Sequence, residues 1–220
     1  TWTTGFYPKE NLASYCDRDG ERAKKTFSDL AKELNVNIVA GSIANEKNGE
    51  IYNTAFVFNR EGEVVAEYDK THLFTPMDEH KFFSFGKNLV TFELDGHKCG
   101  IVICYDIRFC ELVRSLALRG IDMLFMVSQW PLVRTSHIVT LTKARAIENQ
   151  MFVVCCNSCG KTPDAVFGGH SQIIDPWGEV LEAAGEKQEV ITADCDFGTI
   201  KDIRNSINVF NDRKPDLYEL

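Results

Sequence analysis

Between residues 89 and 157 the chain alternates between two hydrophobic periods, and no other feature restricts its fold as strongly. Residues 89–94 follow a strand pattern, Asp95-Gly96 a turn, 99–104 a second strand, and 109–119 an amphipathic helix with Leu112, Val113, Leu116 and Ala117 on one face. A strand over 122–127, a helix over 136–150 and a strand over 152–157 continue the series. Strand–helix–strand units join parallel neighbours, because the crossover between them needs the length of a helix. This half therefore predicts a parallel sheet covered by helices.

Ahead of it, residues 20–34 place Ala23, Phe27, Leu30, Ala31 and Leu34 on a helical stripe, and strand-like runs follow over 37–42, 53–59 and 63–68. The last two flank Arg60-Glu61-Gly62 and read as a hairpin. Two further strands flank Asp175-Pro176-Trp177-Gly178, and 190–195 reads as one more. The pattern leaves two α/β architectures open: two packed sheets with helices outside, or a single doubly wound sheet.

With 220 residues, 44% hydrophobic and 25% charged, and with no repeat or linker, the chain is expected to form one domain over 1–220. Its 24 basic residues against 32 acidic ones give a net charge of −8, the wrong sign for a protein that neutralises phosphates, so nucleic acid is not an expected partner. Apolar runs such as 123–127 fall far short of the roughly 20 residues that span a bilayer. Thr1-Trp2-Thr3-Thr4-Gly5 carries no basic or apolar leader pattern, so the expected location is the cytoplasm. The eight cysteines read as free thiols. Cys156 and Cys159 form a Cys-x-x-Cys without a second ligand pair at metal spacing, so no metal is expected and a redox pair is a minor rival.

In Gly100-Ile101-Val102-Ile103-Cys104-Tyr105-Asp106 an apolar strand ends on a cysteine shortly before a helix. There a thiol meets the helix's unsatisfied N–H groups, which favour thiolate, and the next N–H, that of Tyr105, is available to an oxyanion. A cysteine that merely packs fits the same spacing. Lys70 follows another apolar strand in Tyr68-Asp69-Lys70-Thr71-His72-Leu73-Phe74, a position open to a surface lysine as well as to a catalytic one, and His72 reads as a structural histidine.

Those two segments, with Lys143-Ala144-Arg145-Ala146-Ile147-Glu148-Asn149-Gln150, resemble the nitrilase, or carbon-nitrogen hydrolase, superfamily. Gly169-His170-Ser171, Asp175-Pro176-Trp177-Gly178-Glu179 and the tail Val209-Phe210-Asn211-Asp212-Arg213-Lys214-Pro215-Asp216-Leu217-Tyr218 are similar to its omega-amidase branch. The resemblance implies a four-layer α-β-β-α sandwich, a homodimer built through a helical face, and hydrolysis without metal or nucleotide. It also implies a Glu-Lys-Cys set with a thioester intermediate and ammonia as product. Carried over by motif, Cys104 is the nucleophile, Lys70 the electrostatic stabiliser and Tyr105 the N–H donor. Glu79, seven residues before Gly86, has a spacing like that of the family's supporting glutamate, against a solvated charge.

Position 110 is Cys where many relatives have proline. In the family the general-base glutamate precedes an aromatic-Thr-Thr-Gly segment, and here it would fall immediately before Thr1, with the first strand and helix. Glu10 and Glu33 do not occupy that place, so the resemblance implies an N-terminally shortened member. The expected substrate is a small dicarboxylate monoamide, 2-oxoglutaramate first. Nitrilase or deaminated-glutathione amidase activity, and an inactive member serving as a binding module, are the alternatives. Trp130 as a pocket wall and Arg134 as a carboxylate partner complete the expected site, against a packed tryptophan and a surface arginine.

Overall fold

The computed structural model describes residues 1–5, 10–163 and 165–218. The chain first forms α1 (Leu12–Tyr15), β1 (Asp17–Arg18) and α2 (Glu21–Leu34). β2 (Ile38–Lys47), β3 (Glu50–Phe58) and β4 (Val64–Asp69) then make an antiparallel meander, and β1 adds to β2 in parallel, giving a four-stranded sheet in the order β1-β2-β3-β4. Both strands of the β2–β3 hairpin are longer than the periodicity predicts. Their turn is Asn48-Gly49, with both φ angles positive at 53° and 83°, a two-residue hairpin signal that the sequence reading passed over.

The alternating half builds a second sheet. β5 (Thr91–Leu94), β6 (His97–Ile103), α3 (Cys110–Leu118), β7 (Met123–Ser128), α4 (Thr135–Asn149) and β8 (Phe152–Asn157) follow in turn. A small hairpin of β9 (Cys159–Lys161) and β10 (Val166–Gly168) leads to β11 (Gln172–Ile174), β12 (Val180–Ala183) and α5 (Gly198–Ser206). The sheet order is β12-β11-β8-β7-β6-β5, with β6, β7 and β8 parallel and the flanking strands antiparallel.

Side-chain alternation along the strands stacks four layers. Ala55 and Val57 of β3 face Ile101 and Ile103 of β6 in the core between the sheets, while Phe56 and Phe58 turn outward onto Ala23 and Ala31 of α2. On the far side Val102, Leu124 and Val153 meet Leu112 and Leu116 of α3 and Ile138 of α4. The order is α2, first sheet, second sheet, then α3 with α4, so the sandwich and not the single doubly wound sheet is the architecture.

One expected strand is absent. Residues 190–195 alternate in exposure but join no ladder, and Val190 is 91% exposed. Period-two alternation reports an extended chain; a strand also requires a sheet edge to pair with. Among the described residues no helix is long and apolar enough to cross a membrane, and all eight cysteines are free thiols.

Candidate active site

β6 delivers Cys104. The ladder ends at Ile103, and Cys104 switches into the left-handed region at φ 51° to open a 3-10 turn that runs to Arg108. A side-chain-bearing residue held there costs about 1–2 kcal/mol, so the turn needs an anchor. Asp106, wholly buried, supplies it. Its Oδ2 accepts the Ile103 N–H at 3.0 Å and the Tyr68 hydroxyl at 2.8 Å, while its Oδ1 accepts the His72 N–H at 2.9 Å. The His72 Nδ1 lies 2.9 Å from the same Oδ1, and the imidazole stacks on Phe109 at 3.6 Å, which is the structural role expected of that histidine. Asp106 thus fastens the cysteine turn to the segment that leaves β4.

That segment carries Lys70. Its backbone N–H donates to the Asn53 carbonyl at 2.9 Å and its carbonyl accepts the Gly86 N–H at 2.8 Å. The Gly86 backbone crosses Asp69 so closely that a Cβ would stand 2.0 Å from the Asp69 carbonyl oxygen. So held, Lys70 turns inward and is 3% exposed, beside Glu79 at 2%. The Lys70 Nζ donates to Glu79 Oε2 at 2.6 Å, the Phe74 N–H donates to the same oxygen at 2.6 Å, and Asn53 Nδ2 donates to Oε1 at 2.9 Å. Burial alone would push the Lys70 ammonium down, yet the Glu79 charge, the Cys104 charge and the hydrogen bond to Glu79 outweigh it and hold the ammonium above the ordinary lysine value. Burial opposes ionisation of Glu79 as well, but Lys70 and the two further donors hold its carboxyl below the usual range.

Lys70, Glu79, Cys104, Tyr105, Trp130 and Arg134 all line one cavity of about 360 Å³, to which β6, β7 and β8 contribute their carboxyl ends. Trp130 is 3% exposed and doubly fixed: its N–H donates to Asn157 Oδ1 at 2.7 Å and its indole N–H to the Arg134 carbonyl at 2.8 Å. Arg134 lies over the Phe74 ring at 5.3 Å. Thr1 is buried in the cavity wall with its backbone nitrogen 3.0 Å from Ser42 Oγ, whereas Glu10 and Glu33 are exposed and line no part of the cavity. Cys156 sits on β8 and Cys159 on β9.

Four residues here were not singled out by the sequence: Asn53, Asp106, Asn157 and Arg108. Arg108 lines the cavity with its guanidinium 4.7 Å from the Trp130 ring centroid. Asp106 and Arg108 stand two and four residues after the cysteine, inside the quoted motif, and that spacing was the available signal. Arg108 and Arg134 both line the cavity, and among the described residues neither makes an ion pair with a carboxylate.

Residues 1–205 match the sequence model of the family described as Carbon-nitrogen hydrolase. The 2-oxoglutaramate amidase of Bacillus subtilis (strain 168) is 46% identical over 217 residues, which is 99% of this chain and 83% of that protein. The omega-amidase NIT2 of Homo sapiens is 33% identical over 221 residues, 96% of this chain and 80% of that one. The crystal structure of Saccharomyces cerevisiae Nit3, a member of branch 10 of the nitrilase superfamily, matches with a TM-score of 0.81 at 30% identity, covering 94% of this chain and 73% of the other.

Proposed function

The chain belongs to the carbon-nitrogen hydrolase family, within the nitrilase superfamily, and we propose that it is a cysteine amidohydrolase releasing ammonia from the terminal carboxamide of a small dicarboxylate monoamide. The B. subtilis relative is named for 2-oxoglutaramate, which makes that the first substrate to test. Residues 1–220 act as one catalytic domain. The observation that carries the reading is the buried Lys70–Glu79 pair, set in the same cavity as the strained turn at Cys104.

In this mechanism the Cys104 thiol gives its proton to a carboxylate base and its sulfur attacks the amide carbon. The Tyr105 N–H and the Lys70 ammonium receive the charge that develops on the carbonyl oxygen. The amide nitrogen takes the proton and leaves as ammonia, so the C–N bond breaks as the thioester stands. Water, deprotonated by the same base, then cleaves the thioester to the acid and regenerates the thiol. Glu79 keeps Lys70 charged inside the protein. The base is the glutamate that the family carries just ahead of the aromatic-Thr-Thr-Gly segment, a reading supported by Thr1 lying in the cavity wall. Arg108 and Arg134 hold the distal carboxylate of the substrate, Trp130 forming the wall between them.

The test is ammonia release by a protein with glutamate ahead of Thr1. Cys104→Ala is expected to leave less than about a hundredth of the parent kcat, a barrier increase above about 2.7 kcal/mol, and the parent incubated with substrate gains an acyl mass on Cys104. Higher residual activity removes Cys104 as nucleophile. Turnover and adduct both absent from the parent would leave a binding module. The reading also includes a homodimer, supported by the resemblance and by the exposed Leu118 of α3 and Ile147 of α4, and a reducing, cytoplasmic setting supported by the eight free thiols. Sedimentation as a monomer at micromolar concentration argues against the dimer.

A further inference from the structure

We propose that His137, which lies outside every motif considered so far, is a positioning residue that holds the Arg108 guanidinium for the distal carboxylate of the substrate. The inference rests on the reading of the cavity given above and extends it to the residue that makes the carboxylate site rigid.

Arg108 closes the 3-10 turn that begins at Cys104, and its main chain is fixed from one side. The buried Arg145 of α4 donates its Nε to the Ile107 carbonyl at 3.0 Å and its Nη2 to the Arg108 carbonyl at 3.2 Å. The side chain is held differently. Two aromatic faces, Trp130 at 4.7 Å and Tyr105 at 6.0 Å, attract the guanidinium without fixing its direction. Among the described residues one side-chain hydrogen bond sets that direction: Arg108 Nη2 stands 3.1 Å from Nδ1 of His137.

Chemistry decides the roles in that bond. A guanidinium carries five N–H donors and no acceptor, so Nδ1 is the lone-pair nitrogen and the imidazole proton is on Nε2. The bond uses one Nη2 hydrogen, and with it one of the two two-pronged edges, and leaves the other edge to match a carboxylate. His137 belongs to the first turn of α4 and is exposed, so it forms no part of the core and its replacement leaves no cavity. An arginine without such a partner samples many rotamers, and a ligand that needs one of them binds more weakly in proportion.

The experiment uses the protein with glutamate ahead of Thr1 and two amides of equal length, glutarate monoamide with its distal carboxylate and the neutral pentanamide. Steady-state kinetics are measured for the parent, Arg108→Lys, His137→Ala and His137→Gln. His137→Ala is expected to raise KM for the carboxylate amide by about three- to tenfold, with the change falling on KM and not on kcat. The preference for the carboxylate amide over pentanamide falls by the same factor. His137→Gln offers a neutral oxygen acceptor and recovers most of the preference. If Arg108→Lys lowers the preference while His137→Ala does not, the positioning role is wrong and the carboxylate reading stands. If Arg108→Lys leaves the preference unchanged, the carboxylate reading falls and the inference falls with it. A His137→Ala variant that lowers kcat equally for both amides marks a structural role and also overturns the proposal.

Discussion

Replacing Glu79 by glutamine tests the centre of the site with the smallest change of shape. The carboxylate receives three donors, Lys70 Nζ and the Phe74 N–H on Oε2 and Asn53 Nδ2 on Oε1. Glutamine offers one oxygen and one NH2, so one donor of the protein must face another donor, and the buried ammonium of Lys70 loses its counter-charge. Removing one partner of a buried ion pair costs about 3–5 kcal/mol. For a chain of this size each kcal/mol lowers the melting temperature by about 2–4 °C, so Glu79→Gln is expected to melt roughly 6–20 °C below the parent. Turnover falls too, because Lys70 loses the largest charge and the hydrogen bond that oppose burial, which weakens its hold on the proton; losing one oxyanion stabiliser is worth about 10²- to 10³-fold in kcat.

The pH dependence of the stability difference follows from the two directions of shift. Glu79 is held below the ordinary carboxyl value, so its contribution is complete above about 4.3 and is lost as pH falls through its depressed value. Lys70 is held above the ordinary lysine value, so its contribution is complete below about 10.4 and is lost as pH rises through its raised value. The pair's contribution in the parent is therefore complete across the neutral range and is lost at the acid end as Glu79 takes a proton and at the alkaline end as Lys70 gives one up. Urea denaturation at a series of pH values measures it, with ammonia release on the same samples. A second variant separates stability from chemistry: Lys70→Met with Glu79→Leu removes both charges, and is expected to regain much of the lost stability while remaining inactive. A Glu79→Gln protein that unfolds within about 1 kcal/mol of the parent and keeps its kcat refutes the reasoning.

Gly86→Ala is expected to lose about 3 kcal/mol, since the new methyl meets the Asp69 carbonyl at 2.0 Å and the end of β4 that leads into Lys70 must shift; a melting curve unchanged from the parent contradicts this. For the base, changing the glutamate ahead of Thr1 to glutamine is expected to cut ammonia release by at least about 10²-fold with the melting temperature held, because proton transfer in both halves of the reaction depends on it. Equal activity of the two forms assigns the base elsewhere.

The fold was most legible where hydrophobic period and burial coincide. β6, α3, β7, α4 and β8 stand within one or two residues of their expected bounds, because each strand is buried on both faces and each helix shows one apolar stripe to the sheet. Residues 190–195 carry the same alternation and form no strand, since pairing depends on a free edge elsewhere in the chain. Cys104 and Lys70 each follow an apolar strand, a local pattern that also fits a packed cysteine and a surface lysine, and it was the resemblance of their segments to the family that singled them out. Asp106 and His137 were not singled out, because their partners arrive from residues about thirty positions away, Tyr68 and His72 for the first and Arg108 for the second.

A single five-residue turn joins the two ends of the proposed chemistry. Cys104 opens it, Asp106 anchors its middle, and Arg108 closes it, so the proposed nucleophile and the guanidinium proposed to bind the carboxylate ride on one stretch of backbone. The turn advances by about 2.0 Å per residue, which sets the attacking and holding residues about 8 Å apart along its axis. Each end is then trimmed by a different neighbour, Cys104 by the Tyr68–Asp106 bond that ties it to the lysine segment and Arg108 by His137 on α4. Loosening Asp106 must therefore disturb attack and substrate placement together, whereas loosening His137 reaches placement alone. That asymmetry is why kcat and KM are expected to part company in the His137 variants and to move together wherever the middle of the turn is changed.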